Sequence, residues 1–358
     1  MHPVSSTTSD NSDSADPTPH RAAIRAEDVS VTYASGTEAV KGVSLTVPEG
    51  EFFGFLGPNG AGKTTTIKAF VTLLDPTGGS VTVNGFDVRR DRRALRSSIG
   101  YMAQETSVDL ELTARENVRF ACEAYGVPRS ERAARIDELL ELVDLADVAD
   151  EQAKTYSGGM KKRLDVATAL VHRPPLVFLD EPTTGLDPTA RNRLWDYFRR
   201  INEEGTTVFL TTQYLEEADQ LCDRIAVIDD GRIVALGTPE ELKARVGGDV
   251  LDVDLVDPSD ATLARAEGVV HDSGLLDGEG SVSRTESGLS VTAQRARRVG
   301  TDLLVALRDA GIVVEGFNVR SPTLDDVFLA ITGAPARSDD EDEDRETPDD
   351  VAASEVAR

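Results

Sequence analysis

Residues 57 to 64 read Gly57-Pro-Asn-Gly-Ala-Gly-Lys-Thr64, after the apolar run Glu51-Phe-Phe-Gly-Phe-Leu56 and before a stretch of helical character. Gly57, Gly60 and Gly62 permit backbone angles and close approaches that a Cβ would block, so successive N–H groups can turn toward an anion. A helix beginning near Gly62 adds its positive end. In such a strand-loop-helix context Pro58, Asn59 and Ala61 complete a polyphosphate cradle. Lys63 is placed to reach the β- and γ-phosphates, the Thr64 hydroxyl to ligate Mg²⁺, and Thr65 to touch the α-phosphate. These eight residues predict a strand-fed α/β sheet that binds a nucleoside triphosphate.

A second element completes that reading. Leu176-Val-Phe-Leu179 is a short, wholly apolar run, as expected of a parallel strand buried on both faces, and it ends in Asp180-Glu181-Pro182. Ligands of open α/β sheets bind at the carboxyl ends of strands. Asp180 is therefore expected to hold Mg²⁺, and Glu181 to accept a proton from a water attacking the γ-phosphate. A carboxylate pair after a strand can also be simple loop solvation.

Between the two lies Tyr156-Ser-Gly-Gly-Met160, followed by apolar positions 164, 166, 167, 170 and 171 at helical spacing. Ser157 is a natural N-cap, and Gly158 and Gly159 bring bare amides to the helix start, either as a plain cap or as a second anion cradle.

Taken in order, these residues resemble the nucleotide-binding subunit of ATP-binding cassette (ABC) transporters over about Ile24 to Gly247. The resemblance implies a P-loop NTPase core of α/β class with an antiparallel β subdomain and a helical subdomain (about 104–170). It implies ATP and Mg²⁺ as ligands and a head-to-tail dimer in which Ser157, Gly158 and Gly159 close on the nucleotide held by the partner. It gives Gln104 the role of sensing Mg²⁺ and attacking water, and Asp187 of Gly185-Leu-Asp187 a reach across the dimer interface. Tyr33 matches the adenine-stacking aromatic; alternatively Val29, Val31 and Tyr33 are one face of a strand. Gln213 occupies the place of the family's switch histidine. It can donate to a phosphate oxygen, but it cannot carry charge near neutral pH.

Tyr156 to Met160, Thr211 to Asp219 and Pro322-Thr-Leu-Asp-Asp-Val-Phe-Leu329 look most like the branch similar to daunorubicin resistance proteins. That branch implies coupling to a separate membrane permease and export of drugs or other amphipathic compounds, from a peripheral position on the cytoplasmic face of the membrane. Alternatives are a permease-independent ABC protein and an ATP sensor with little hydrolysis.

The chain of 358 residues carries a net charge of −26, which argues against nucleic acid as a partner and fits a cytoplasm at high salt. No apolar run approaches the roughly 18 residues of a membrane span. Cys122 and Cys222 lack metal-ligand spacing and read as buried thiols. Residues 1–21 are expected to be a disordered tail, 22–247 the ATP-binding domain, 248–333 a small accessory α+β domain, and 334–358, with Asp339-Asp-Glu-Asp-Glu-Asp344, an acidic disordered tail. In the accessory domain, strands are predicted at Val250 to Leu255, Leu289 to Val291 and Ile312 to Val319, and helices at 295–309 and 323–332.

Overall fold

The apolar runs of the sequence become the middle of a six-stranded sheet. The computed structural model describes residues 21–246, 248–274, 280–293 and 296–332; the expected tails fall outside these residues except at Arg21. The chain begins with β1 (Ala22–Thr32), β2 (Glu38–Pro48) and β3 (Phe52–Leu56), then α1 (Lys63–Phe70), β4 (Gly78–Val83), β5 (Phe86–Asp87), α2 (Arg92–Ser97) and β6 (Ile99–Met102). Helices α3 (Ala114–Ala124), α4 (Arg132–Leu142) and α5 (Gly158–Ala169) form an inserted arm. It leads into β7 (Leu176–Asp180), α6 (Pro188–Glu203), β8 (Thr207–Thr212), α7 (Leu215–Leu221), β9 (Arg224–Asp229), β10 (Arg232–Gly237) and α8 (Pro239–Ala244).

The main sheet has the order β10-β9-β3-β8-β7-β6, with only β10 antiparallel. β3, β7 and β8 are buried at every position, which suits strands covered on both faces. Alternation sorts their side chains into two cores. Phe53, Phe55, Phe178 and Phe209 pack with Phe70 of α1 under the antiparallel sheet β2-β1-β4-β5, and Phe52, Leu56, Val177, Leu179 and Leu210 pack under the helical arm, α6 and α7. Each such phenylalanine contributes about 1.5–3 kcal/mol by leaving water. The threonines of β8 are tolerated because their hydroxyls are paired: Thr207 accepts the Gly50 amide, Thr211 donates to Asp180, and Thr212 accepts the Tyr214 amide.

Local residue chemistry sets several element ends. Asn84 and Gly85 both adopt positive φ in the β4–β5 hairpin turn. Thr113 and Glu116 form a reciprocal capping box on α3, and Thr238 and Glu241 form another on α8 with Pro239 at its first position. Helix α4 starts at Arg132 with no side-chain cap on Glu131.

Beyond Gly248 come β11 (Asp249–Leu255), α9 (Asp260–Asp272), β12 (Ser281–Arg284), β13 (Gly288–Ala293), α10 (Ala296–Asp309), β14 (Val314–Arg320) and α11 (Leu324–Thr332). The four strands form an antiparallel sheet of order β12-β13-β11-β14 over a core that includes Leu263 and Val270 of α9 and Leu303 and Leu307 of α10. The sequence reading omitted α9 and β12. Leu324, Val327 and Phe328 of the last helix, α11, are buried in the main core, against α7 and α8.

Candidate nucleotide site

Three strand ends meet at the loop after β3. Gly62 stands at φ 104°, where a Cβ would lie 2.5 Å from the Ala39 carbonyl oxygen, and a Cβ on Gly57 would lie 2.3 Å from that of Ile228. Only glycine fits either place. The loop wraps Lys63, which is 4% exposed. Its Nζ donates to the carbonyls of Gly57 at 2.8 Å and Pro58 at 3.2 Å, and pairs with Glu181 Oε1 at 3.1 Å.

Glu181 is the hub of this arrangement. Its Oε2 accepts from Gln104 Nε2 at 3.0 Å, and its amide donates to the carbonyl and hydroxyl of Thr211 at 3.1 and 3.2 Å. The residue stands at φ 49°, a left-handed conformation that costs a non-glycine residue roughly 1–2 kcal/mol. It persists because the surroundings over-determine it.

Asp180 is fully buried. Its Oδ1 accepts from Thr211 Oγ1 at 2.6 Å and from Thr64 Oγ1 at 3.3 Å, while its buried Oδ2 has no hydrogen-bond partner. Burial pushes its pKa above the ordinary carboxylate value, and the Glu181 charge adds to the shift; the Thr211 and Thr64 hydroxyls and Lys63 oppose it. A buried carboxylate oxygen that lacks a donor, beside the Thr64 hydroxyl, suits a hard divalent cation such as Mg²⁺.

Tyr33 lies one residue past β1 and is 40% exposed, unlike buried Val29 and Val31, and its hydroxyl is 2.9 Å from Thr65 Oγ1. The strand alternation therefore stops before Tyr33, leaving its ring partly free beside the loop. Half-buried Gln213 follows the end of β8.

The remaining predicted residues lie elsewhere. Ser157 and Gly158 are exposed at the start of α5, where Ser157 Oγ accepts the Met160 amide at 3.3 Å. Asp187 caps α6 through the Ala190 amide at 2.9 Å, and Leu186 packs beside Gly159. Among the described residues, neither Ser157 nor Asp187 hydrogen-bonds to residues 57–65. One chain thus presents a phosphate loop and, apart from it, an exposed glycine-rich helix start.

Sequence reasoning missed four polar groups around this centre. Thr211 lies near the end of β8, where a threonine reads as an ordinary strand former. Lys162 of α5 donates to the Glu181 main-chain carbonyl at 3.1 Å. Buried Asp165, also on α5, accepts the Ser107 amide at 3.0 Å and the hydroxyls of Ser107 and Thr106, tying down the segment after Gln104. Fully buried Glu217 accepts from Thr183 Oγ1 and Trp195 Nε1, both at 3.0 Å, and burial raises its pKa. The helical spacing of 162 and 165 was visible; their partners, roughly 20 to 60 residues away in sequence, were not.

A family model described as ABC transporter matches residues 40–184, and one described as the C-terminal domain of DrrA1-3-like ATP-binding proteins matches residues 237–332. The chain is 44% identical to the daunorubicin/doxorubicin resistance ATP-binding protein DrrA of Streptomyces peucetius, over 90% of this chain and 94% of that protein. It is 36% identical to the linearmycin resistance ATP-binding protein LnrL of Bacillus subtilis, over 88% and 99% respectively. Among solved structures, a dimeric ATP-binding cassette in a post-hydrolysis state, bound to ADP and Pi, superposes with a TM-score of 0.56 at 29% identity, over 60% of this chain and 98% of that one.

Proposed function

Because the chain belongs to the ABC transporter ATP-binding proteins of the daunorubicin resistance type, we propose that it hydrolyses ATP to power a separate membrane permease that exports a drug or other amphipathic compound. The observation that carries this reading is the convergence of Lys63, Gln104, Asp180 and Glu181 at the ends of β3, β6 and β7.

Residues 57–65 hold the polyphosphate, with Lys63 on the β- and γ-phosphates and Tyr33 against adenine. Thr64, Gln104 and Asp180 hold Mg²⁺, which when bound neutralises charge on the phosphate oxygens. Glu181 accepts the proton of the attacking water. Gln213 donates to the γ-phosphate without adding charge.

Two chains pack head to tail, so that Ser157, Gly158 and Gly159 of each reach the nucleotide of the other, with Asp187 crossing the interface. The separation of the glycine-rich helix start from the chain's own phosphate loop supports this arrangement, as does the dimeric state of a structural relative. ATP bridging two chains stabilises only the closed dimer, and hydrolysis releases it, which would alternate access through the permease. Among the described residues no helix is long and apolar enough to cross a membrane. The subunit is proposed to sit peripherally on the cytoplasmic face, with the exposed residues between Gln104 and Tyr125 toward the permease. The net charge of −26 supports operation in concentrated salt.

The test is ATP turnover by the purified chain at high salt. Wild type is expected to hydrolyse, and Glu181→Gln to fall by about a hundredfold or more while still binding ATP. Undiminished turnover in Glu181→Gln would remove Glu181 from the reaction.

A further inference from the structure

Lys162 stands on α5, five residues beyond the Ser157 cap, and is half-buried. Burial lowers its pKa, and the charges of Glu181, Asp165, Glu217 and Asp180 act against that shift. Its hydrogen bond at Glu181 nevertheless goes to the main-chain carbonyl, at 3.1 Å, rather than to the carboxylate. The Glu181 carboxylate is occupied by Lys63 and Gln104.

That choice of atom matters because Glu181 is held in a left-handed backbone conformation. On its amide side the peptide is tied to Thr211 of β8. On its carbonyl side it accepts from Lys162 and, more distantly, from the Thr184 amide at 3.4 Å. The Lys162 tie comes from another layer of the molecule, the helix that starts at Ser157. A directional bond from that helix to the peptide of a carboxylate sets where the carboxylate points. Reacting groups displaced by about 1 Å lose on the order of a hundredfold in rate.

We infer that Lys162 is a positioning residue for hydrolysis: by gripping the Glu181 carbonyl from α5, it links the setting of the Glu181 carboxylate to the position of the helix that begins at Ser157. The inference deepens the proposed function and rests on its reading of Glu181. When Ser157 engages a nucleotide on the partner chain, a shift of α5 is passed through Lys162 to the Glu181 of its own site. Each active site thereby registers the engagement of the other.

The experiment compares full-length wild type, Lys162→Met, Lys162→Arg and Glu181→Gln in single-turnover hydrolysis, with ATP affinity, ATP-dependent dimerisation and thermal midpoint measured on each. Lys162→Met keeps the aliphatic stem without the donor. It is expected to lose about tenfold to a hundredfold in the hydrolysis step while ATP affinity and dimerisation stay within about twofold. Lys162→Arg, which retains a donor, is expected to recover most of that loss. Hydrolysis by Lys162→Met at the wild-type rate would overturn the inference. So would a loss matched by equal losses of ATP affinity and thermal midpoint and not recovered by Lys162→Arg, because that pattern marks a purely structural lysine. If Lys162→Met does not fold, Lys162→Leu, which also lacks a donor, supplies the same comparison. Undiminished hydrolysis in Glu181→Gln would mark failure of the underlying reading, and the inference would fall with it.

Discussion

Asp180 and Gln213 bring opposite electrostatic habits to one site. Burial raises the Asp180 pKa above its ordinary 3.8, so the fold disfavours the charged carboxylate relative to the unfolded chain. Its contribution to stability is complete below the unfolded value and is lost as pH rises through the folded one. A bound cation reverses the preference. MgATP affinity is therefore expected to weaken as pH falls toward the raised value, and Asp180→Asn to flatten that dependence along with lowering the affinity; nucleotide titrations across a pH series check both. Gln213 is neutral throughout. Gln213→His adds a group with an ordinary pKa of about 6.5. Turnover of this variant, relative to wild type, is expected to rise as pH drops from about 8 to about 6. A pH-independent ratio in steady-state assays would count against a phosphate-facing position for residue 213.

Helix α5 carries its functions at opposite ends of its first two turns. Its cap is exposed, whereas Lys162 and Asp165 face inward to Glu181 and to the segment after Gln104. Ser157→Ala is expected to cost about 1 kcal/mol of stability through the lost cap, and to lose hydrolysis well beyond that. Mixing inactive Ser157→Ala with inactive Lys63→Ala should restore partial turnover: their mixed dimer contains one composite site with both groups present, although the Glu181 of that site lacks the signal that Ser157 engagement passes through Lys162. No recovery at any mixing ratio, with mixed dimers demonstrably formed, would argue against shared sites.

At this scale the sequence was legible wherever the signal is local. The glycine loop and the apolar runs of β3 and β7 each specify their own conformation. Helix α9 went unread although Leu263, Ala266 and Val270 share a buried face, because Gly268 and several alanines dilute the pattern. Strand β12, Ser-Val-Ser-Arg, is too short and polar to show a period, and it exists through pairing with β13. The Glu181 hub was legible as residue types but not as bonds. Gln104, Lys63, Lys162 and Thr211 meet there only after the sheet and the helical arm have folded.

Across the whole molecule, α11 follows the C-terminal sheet in sequence but packs into the main core. Phe328 is 6% exposed within the main core, and Phe328→Ala is expected to cost about 3–5 kcal/mol. Denaturation followed through Trp195, a buried partner of Glu217 on α6, should report that loss; a transition unchanged within about 0.5 kcal/mol would mean that α11 is peripheral to the core. The net charge of −26 spreads self-repulsion over the same fold. Raising salt from about 0.1 M to about 1 M shortens the screening length from about 10 to about 3 Å and should raise the thermal midpoint. A midpoint independent of salt would contradict the proposed adaptation to concentrated salt.

The central claim is that two chains share two ATP sites, each closed by the Ser157 helix of its partner. Light scattering of Glu181→Gln with and without ATP tests it most directly. The account predicts a monomer without nucleotide and, because hydrolysis can no longer release it, a stable dimer of twice the mass with ATP, abolished by adding Ser157→Ala. A protein that binds ATP yet keeps the monomer mass would contradict it.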